Sequence, residues 1–285
     1  MFSESMRDEE ILNRELKNVE EEFAHMLMRI PRRNEPPQEP SAYWLHLEII
    51  ERHYVLEHAQ IAPGSTVVEI GCGSHAITTV PLAYKVGETG RVCAVDISRW
   101  REFNRILQTA TLRRRVMPLW CDATQLPVKS ESFDMAVSIH GVRSFRNKDT
   151  IVKIFKEMLR VSPRLFVAAS LPIAKTRAQK AHLEMYNLRE EIFEALSGRK
   201  DDIHYFPLEK LAEFVVNAGG TITETKTVDT GLPDHLATLP KEFVEKIGDE
   251  EKRERLLERW EIAFDNLLKY GEEHPPVGII KAVKA

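Results

Sequence analysis

The stretch that decides the fold is Ser65-Thr66-Val67-Val68-Glu69-Ile70-Gly71-Cys72-Gly73-Ser74-His75, which is followed by Arg91-Val92-Cys93-Ala94-Val95-Asp96. Each segment contains a short apolar run rich in valine, as a strand buried on both faces requires. Gly71 and Gly73 end the first run, and because glycine lacks a Cβ the backbone there can turn tightly and approach a ligand closely. The sequence therefore predicts a buried strand, a glycine turn and a helix, and then a second buried strand.

Two carboxylates flank the glycine turn. Asp96 ends the second strand, 25 residues after Gly71, where a carboxylate can accept hydrogen bonds from both hydroxyls of a ribose. Glu69 lies two residues before Gly71, where an acid would repel a pyrophosphate but suits a ligand that carries an ammonium group. The run from Gly71 to Ala76 otherwise fits a dinucleotide-binding pattern, with alanine in place of the third glycine. Glu69 therefore shifts the interpretation from NAD towards S-adenosylmethionine, and Asp96 strengthens the case for a nucleoside ligand.

Length and composition bound the function. The chain has 285 residues, a formal net charge of −4 and 43% hydrophobic residues. It suits one large domain, or one domain with additions, with ample apolar material for a core. The acidic balance provides no basic field for a nucleic-acid backbone, and so we expect no nucleic-acid partner. Cys72, Cys93 and Cys121 lie at or beside predicted strands, which favours small core residues in a reducing cytosol over disulfides or metal ligands.

The sequence contains no signal peptide and no apolar run of membrane-spanning length. We therefore expect a cytoplasmic protein without a membrane span. The histidines His46, His53 and His58 have no metal-ligand spacing to nearby acids, and we expect them to be surface residues. The expected metal content is none.

Residues 1–60 are expected to form a helical N-terminal extension. An amphipathic helix is predicted over 4–30, where apolar residues recur at spacings of three and four. Four prolines between Pro31 and Pro40 break this pattern, and a second helix follows over Ala42–Ala59. Three roles are open to the extension: packing on the core, covering a substrate pocket, or mediating a homodimer. Plain packing is the favoured one.

Strands and helices alternate through residues 61–285. Strands are predicted over 66–70, 91–96, 115–120, 132–140, 165–170, 221–228 and 277–283, and helices over 76–85, 98–112, 148–161, 174–198, 208–217 and 241–270. This alternation predicts an α/β fold, a doubly wound and mostly parallel seven-stranded sheet with helices on both faces. The helices over 174–198 and 241–270 are additions to that pattern.

Chemistry-bearing residues fall where the predicted strands end. Gly71, Asp96, Asp122 and His140 each follow or close a strand. Ligands of such sheets bind outside the carboxyl ends of the strands, near the switch in strand order. This convergence predicts a single ligand site at that edge of the sheet.

With these motifs in place, residues 60–230 and the last strand resemble the class I, Rossmann-like S-adenosylmethionine-dependent methyltransferases. Within them the motifs are most similar to the ubiquinone and menaquinone biosynthesis C-methyltransferases. The likeness rests on the run from Val67 to Gly73, on Asp122-Ala123 followed by Leu126-Pro127, on Ser132-Phe133-Asp134, and on Gly141-Val142-Arg143-Ser144-Phe145.

The resemblance implies roles for the residues around the glycine turn. Glu69, Gly71 and Gly73 are expected to line the methionine moiety of S-adenosylmethionine. Asp96 is expected to hold the ribose hydroxyls, and Ile97 to pack on the adenine.

The ends of the third and fourth strands complete the implied site. Asp122 is expected to accept a hydrogen bond from the adenine amino group, and Ala123 to supply a backbone donor. Ile139 and His140 are expected near the sulfonium and the incoming nucleophile. His140 is the first candidate for a general base, although a histidine at a strand end is often a hydrogen-bonded wall residue. His75 replaces the family's usual third glycine, and so it must clear the methionine tail or take part in the site.

The resemblance implies methyl transfer from S-adenosylmethionine to a small-molecule acceptor, apolar or quinone-like, with residues 61–285 as the methyltransferase domain. The added helices would then define the acceptor, and they also offer a surface for a homodimer. Arg143 could pair with an acidic acceptor or with Asp149. A non-catalytic binding or scaffold protein that retains the fold is the alternative from a different class. A dehydrogenase is disfavoured by Glu69.

Overall fold

The protein was analysed as a computed structural model, which describes residues 39–99, 103–104, 107, 110–145, 147–198, 204–234 and 240–285. Seven strands form one sheet: Thr66–Ile70 (β1), Arg91–Asp96 (β2), Val116–Trp120 (β3), Met135–Ile139 (β4), Arg164–Ser170 (β5), Gly220–Val228 (β6) and Val277–Lys284 (β7). Their order across the sheet is β3-β2-β1-β4-β5-β7-β6. The doubly wound α/β sheet of seven strands is therefore confirmed.

The helices within the described ranges are Glu39–Glu57 (α1), Thr79–Lys85 (α2), Ala110–Arg115 (α3), Lys148–Val161 (α4), Arg177–Ser197 (α5), Leu208–Asn217 (α6), Lys241–Glu245 (α7) and Glu250–Tyr270 (α8), with a short 3₁₀ helix at Gly141–Ser144. The helices predicted over 148–161 and 208–217 agree with α4 and α6 at both ends. The amphipathic helix predicted over 4–30 lies outside the described residues, and the one over 98–112 lies partly outside them.

The sheet is mostly parallel. β1 pairs in parallel with β2 on one side and with β4 on the other. β7 runs antiparallel to both β5 and β6. The strand order reverses between β1 and β4, and so the ligand edge predicted from the sequence is the edge at which these two strands end.

Successive side chains of β1 point to opposite faces of the sheet, and an apolar layer covers each face. Val67 belongs to an apolar layer with α1 and α2, whereas Val68 and Ile70 pack into the layer with α4 and α6. Glu69 shares the face of Val67, which carries its carboxylate toward α1 and α2. A third apolar cluster lies between α5, α7 and α8, where Met185 and Leu256 are fully buried.

Two predicted boundaries are wrong for local reasons. The single helix expected over 241–270 is two helices, because the Asp249 side chain accepts the Lys252 N–H at 3.0 Å and begins α8 as an N-cap. The strand expected over 132–140 is shorter, since Asp134 instead accepts the Thr66 N–H and hydroxyl at 2.7 and 2.8 Å. Asp134 thereby fastens the start of β1 rather than extending β4.

The burial predicted for the cysteines is observed, whereas the surface exposure predicted for His53 is not. Cys72 and Cys93 are buried and free, as predicted for core residues, and burial raises the pKa of the Cys93 thiol to about 12. His53, expected at the surface, is instead only 4% exposed. Burial, with Lys85 nearby, lowers its pKa to about 4. Within the described part of the chain, no helix combines the length and apolar composition needed to cross a bilayer.

Candidate functional site

The glycine loop is fastened to the neighbouring strand. Gly71 and Gly73 have φ of +79° and +66°, a left-handed region in which glycine avoids the strain of a side chain. The N–H groups of Gly71 and Cys72 both donate to the Val95 carbonyl, at 2.9 and 3.1 Å. A Cβ added to Gly73 would meet no atom within 4 Å, and so the loop presents open space beside its backbone.

Asp96 joins the end of β2 to this loop. Its Oδ2 accepts the Gly73 N–H at 3.0 Å, and its Oδ1 accepts the Ser98 N–H at 2.9 Å. Each carboxylate oxygen keeps a second lone pair for a ligand hydroxyl. The next residue, Ile97, is 74% exposed. An exposed isoleucine directly after a buried strand provides an apolar surface beside the carboxylate.

Glu69 is buried beneath the loop. Its side chain is almost fully enclosed, and its Oε2 accepts a hydrogen bond from the Thr79 hydroxyl at 2.6 Å. Burial raises its pKa to about 8, although Thr79 and the charge of Arg52 act in the opposite direction. A carboxylate so short of compensating charge would be stabilised by a ligand cation.

The third strand brings Asp122 to the same edge. The Cys121 N–H donates to the Asp96 carbonyl at 3.0 Å, which ties the two strand ends together. Asp122 is exposed, and its Oδ1 accepts the Thr124 N–H at 2.8 Å. This hydrogen bond lowers the pKa of Asp122. Ala123 is half-buried beside it.

The fourth strand ends at Ile139, which is buried, and the chain turns sharply at His140. His140 has φ of +57°, unusual for a side-chain-bearing residue. Its Nδ1 lies 3.2 Å from the Ser170 backbone N–H, a donor, and its Nε2 lies 2.9 Å from Glu51 Oε1. These partners require the neutral ring to carry its hydrogen on Nε2 and to donate it to Glu51. Burial, reinforced by the charges of Arg52 and Arg143, holds the pKa of His140 well below its usual value.

Around His140 lies a set of polar residues, here called the polar cluster: Glu51, Arg52, His140, Arg143, Ser170, Tyr205 and His274. Arg143 Nη1 lies 3.1 Å from the Ser170 hydroxyl, and its guanidinium lies 5.4 Å from the centre of the Tyr205 ring. The His140 and His274 ring centres are 5.7 Å apart. Arg52 contacts Glu51. Among the described residues, neither Arg52 Nε nor Arg143 Nε has a hydrogen-bond partner.

The structure brings together most of the predicted site residues. Gly71 lies against Gly141, the residue after His140, because a Cβ on Gly71 would come within 3.2 Å of the Gly141 Cα. His75 is half-buried, with its Nδ1 2.7 Å from the Ser74 hydroxyl.

Sequence reasoning missed Glu51, Arg52, Tyr205 and His274. The run Glu51-Arg52-His53 within a helix rich in apolar residues was a signal for the first two of them, and it does not say which strand end the helix covers.

Comparison with known proteins agrees with this geometry. Residues 67–163 match the family model described as a methyltransferase domain. The ubiquinone/menaquinone biosynthesis C-methyltransferase UbiE of Paraburkholderia xenovorans is 28% identical over 116 residues, which are 40% of this chain and 46% of that protein. These similarities support a class I S-adenosylmethionine-dependent methyltransferase. The chain spans about half the length of the curated relatives it matches.

Solved structures share the fold of this chain. A cyclopropane-fatty-acyl-phospholipid synthase-like protein from Lactobacillus casei superposes with a TM-score of 0.69 at 18% identity, covering 93% of this chain and 99% of that one. A geranyl diphosphate methyltransferase in complex with S-adenosylmethionine gives 0.51 at 14% identity, covering 88% and 93%. These comparisons support S-adenosylmethionine as the cofactor.

Proposed function

We propose that this chain transfers a methyl group from S-adenosylmethionine to a small-molecule acceptor held at the polar cluster. One observation carries the proposal: Gly71, in the loop expected to hold the methionine moiety, lies against Gly141, directly after His140. The cofactor loop and the polar cluster therefore share one edge of the sheet. That adjacency is what a transfer between two bound molecules requires.

The protein's contribution to such a reaction is placement. The sulfonium of the cofactor supplies an already activated methyl group. Glu69 would face the ammonium group, Asp96 the ribose, and Ile97 the adenine. The remaining requirement is to hold the acceptor atom about 3–3.5 Å from the methyl carbon and to exclude water. Helix α1, whose Glu51 Oε1 lies 2.9 Å from His140 Nε2 at the end of β4, would cover that position.

We infer an acceptor that carries an ionisable hydroxyl, as a phenolic quinone precursor does. Burial lowers the pKa of Arg52 to about 10, which leaves it charged at neutral pH. Buried guanidinium N–H groups of Arg52 and Arg143 have no hydrogen-bond partner within the described part of the chain. An acceptor oxygen that becomes negative would satisfy them through charge-assisted hydrogen bonds. The name of the UbiE relatives, which are C-methyltransferases, is consistent with such a ring.

The proposed general base works as a pair. To act alone as the base, His140 would need a ring nitrogen free to accept the proton. Both of its nitrogens already form hydrogen bonds, one with Ser170 and one with Glu51. We propose that His140 orients the Glu51 carboxylate and that the pair together removes the acceptor proton. Ile139 and His75 would border the reacting centre on the cofactor side.

Calorimetric titration of the full chain with S-adenosylmethionine and S-adenosylhomocysteine tests the cofactor step, with NAD as the control. Micromolar binding of the sulfur ligands alone supports the proposal. Transfer of a labelled methyl group is then measured with phenols and quinone precursors, against an apolar ring that lacks a hydroxyl. Binding without transfer to any hydroxylated ring removes the acceptor assignment. If neither sulfur ligand binds, the scaffold alternative takes first place, and His75→Gly then tests whether that side chain blocks the site.

A further inference from the structure

A second group of ionisable side chains lies beside the inserted helices. His182 stands on α5, Asp234 follows β6, and Glu272 follows α8; these three residues are here called the His182 triad. His182 Nδ1 lies 2.9 Å from Glu272 Oε1 and 3.8 Å from Asp234 Oδ2. One ligand atom from each residue lies within 4.8 Å of the other two. His182 is fully buried and Asp234 is 8% exposed.

The hydrogen bonds of His182 determine which ring nitrogen faces the two carboxylates of the triad. The other ring nitrogen, His182 Nε2, lies 3.3 Å from the Tyr205 hydroxyl. If Nε2 carries the ring hydrogen and donates it to Tyr205, the Nδ1 lone pair faces two carboxylates. A cation held at this point would be stabilised by both carboxylates. A proton on Nδ1 reaches the near carboxylate, whereas a metal ion would bind all three ligand atoms.

We propose that the His182 triad is a divalent metal site of the zinc type. One imidazole and two carboxylates form a nitrogen and oxygen ligand set that Zn²⁺, Co²⁺ and Mn²⁺ accept. Tyr205 would act on the other ring nitrogen and fix the orientation of the ligand, as partners of metal-bound histidines commonly do. Three protein ligands leave the fourth tetrahedral position to water.

The backbone already holds the two acidic ligands in register. The Asp234 N–H donates to the Glu272 carbonyl at 3.0 Å, and the His274 N–H donates to the Leu232 carbonyl at 2.9 Å. Pro233 and Glu273 form a bridge between the same two segments. A bound ion would therefore link this rigid pair of segments to α5, and would fasten the α5–α8 helix pair to the start of β7.

The trio of Glu51, His140 and His274 has similar spacing but unsuitable chemistry. His140 Nδ1 accepts the Ser170 N–H, and so its Nε2, the atom facing Glu51, carries the hydrogen rather than a lone pair. The positive charges of Arg52 and Arg143 also act on this ring. The geometry thus separates the two trios, and the metal is assigned to the His182 triad.

The test uses the untagged full chain, stripped with a chelator and dialysed. Titration with Zn²⁺, followed by elemental analysis, is expected to give one bound equivalent per chain. Co²⁺ is expected to give the visible absorption of a tetrahedral site, and Zn²⁺ to raise the melting temperature by several degrees, because only the folded chain presents the triad.

Variants locate the ion. Glu272→Gln and His182→Ala are expected to lower the affinity for Zn²⁺ at least tenfold, and circular dichroism checks that each is folded. His58→Ala, which removes a half-buried histidine remote from the triad in sequence, is the matched control and is expected to bind as the parent chain does. Absence of binding to the parent chain overturns the proposal. Loss of the ion in His274→Ala with retention in His182→Ala overturns it equally, because the ion would then lie in the polar cluster.

Discussion

Gly71 and Gly141 face each other across the carboxyl ends of β1 and β4. A Cβ on Gly71 would lie 3.2 Å from the Gly141 Cα, and a Cβ on Gly141 would lie 2.8 Å from the Ile70 carbonyl oxygen and 2.7 Å from the Ser138 hydroxyl. Position 141 therefore has no room for the methyl group of an alanine. Two loops, one expected to hold the cofactor and one that begins with His140, depend on this contact.

Gly141→Ala is expected to lower the free energy of unfolding by about 1–3 kcal/mol, as overpacking of a rigid site does. Because the β1 loop must shift to relieve the contact, the affinity for S-adenosylmethionine should fall as well. Denaturant unfolding and calorimetric titration measure the two effects. Gly248→Ala is the matched control, since a Cβ there meets no atom within 4 Å. Equal stability of the two variants would contradict the packing argument.

Asp96→Ala is expected to weaken S-adenosylmethionine binding by about 1–3 kcal/mol, because the ribose hydroxyls would lose a charged acceptor. The variant also loses the acceptor of the Gly73 and Ser98 N–H groups, and so its melting temperature should fall. Asp134→Ala separates the two effects. Asp134 likewise accepts a backbone N–H, that of Thr66, but it precedes β4 at the opposite edge of the sheet. Asp134→Ala should therefore lower stability and leave cofactor affinity unchanged. Unchanged affinity in Asp96→Ala would refute the ribose assignment.

Ile97→Ala should weaken cofactor binding several-fold with little effect on stability. Its side chain is 74% exposed, and so truncation leaves no cavity in the free protein. The apolar area it would bury against the adenine is lost instead. Met117→Ala, at another exposed apolar side chain of the sheet (57% exposed), is the control. The comparison is made by calorimetry, and a similar affinity in both variants would argue against an adenine contact at Ile97.

The sequence predicts the arrangement of the glycine loop and Asp96 better than that of the polar cluster, for a physical reason. The glycine loop and Asp96 lie within one strand–helix–strand unit, in which spacing along the chain determines spacing in the fold. Asp96 is 23 residues from the Gly73 N–H that it accepts. Local patterns of this kind can be recognised in the sequence without knowledge of the tertiary packing.

The polar cluster and the His182 triad depend on contacts between distant segments. Glu51 and His140 are 89 residues apart, and no periodicity encodes which strand end α1 covers. His182 and Glu272, at a separation of 90, meet only because α5 and α8 pack together. The burial of His53 was unpredictable for the same reason, since the exposure of a histidine on a helix without a distinct apolar face depends on what packs around that helix.

Glu69 gives stability a dependence on pH. The pKa of its carboxyl group is about 8 in the folded chain, against an ordinary value of 4.5. Because the folded value is the higher one, the stabilisation is complete below pH 4.5 and is lost as the pH rises through 8. His53, His140 and His274 have lowered pKa values in the folded chain, and so they act in the opposite sense while the unfolded chain titrates these histidines around pH 6.5. A comparison of the parent chain with Glu69→Gln between pH 6.5 and 8 therefore isolates the effect of Glu69.

Over that interval the free energy of unfolding of the parent chain should fall, relative to that of Glu69→Gln, by about 1 kcal/mol per pH unit. Denaturant unfolding of both proteins at three pH values measures this difference, in which the contribution of the histidines cancels. A difference that stays constant with pH would place the titrating group elsewhere.

His140 and Glu51 are expected to act on turnover rather than on cofactor binding. His140→Ala removes the donor that orients the Glu51 carboxylate, and Glu51→Gln keeps a hydrogen-bond acceptor for Nε2–H but removes the base. Both variants should lower kcat by about 10²-fold or more and change the S-adenosylmethionine affinity little. His53→Ala is the control, because it removes a different buried histidine, which lies on α1. This variant should lose stability while its folded fraction keeps the parent kcat. Since burial and the two arginines hold the pKa of His140 well below its usual value, the parent rate should show no titration near pH 6.5. Full kcat in Glu51→Gln would exclude Glu51 as the proton acceptor.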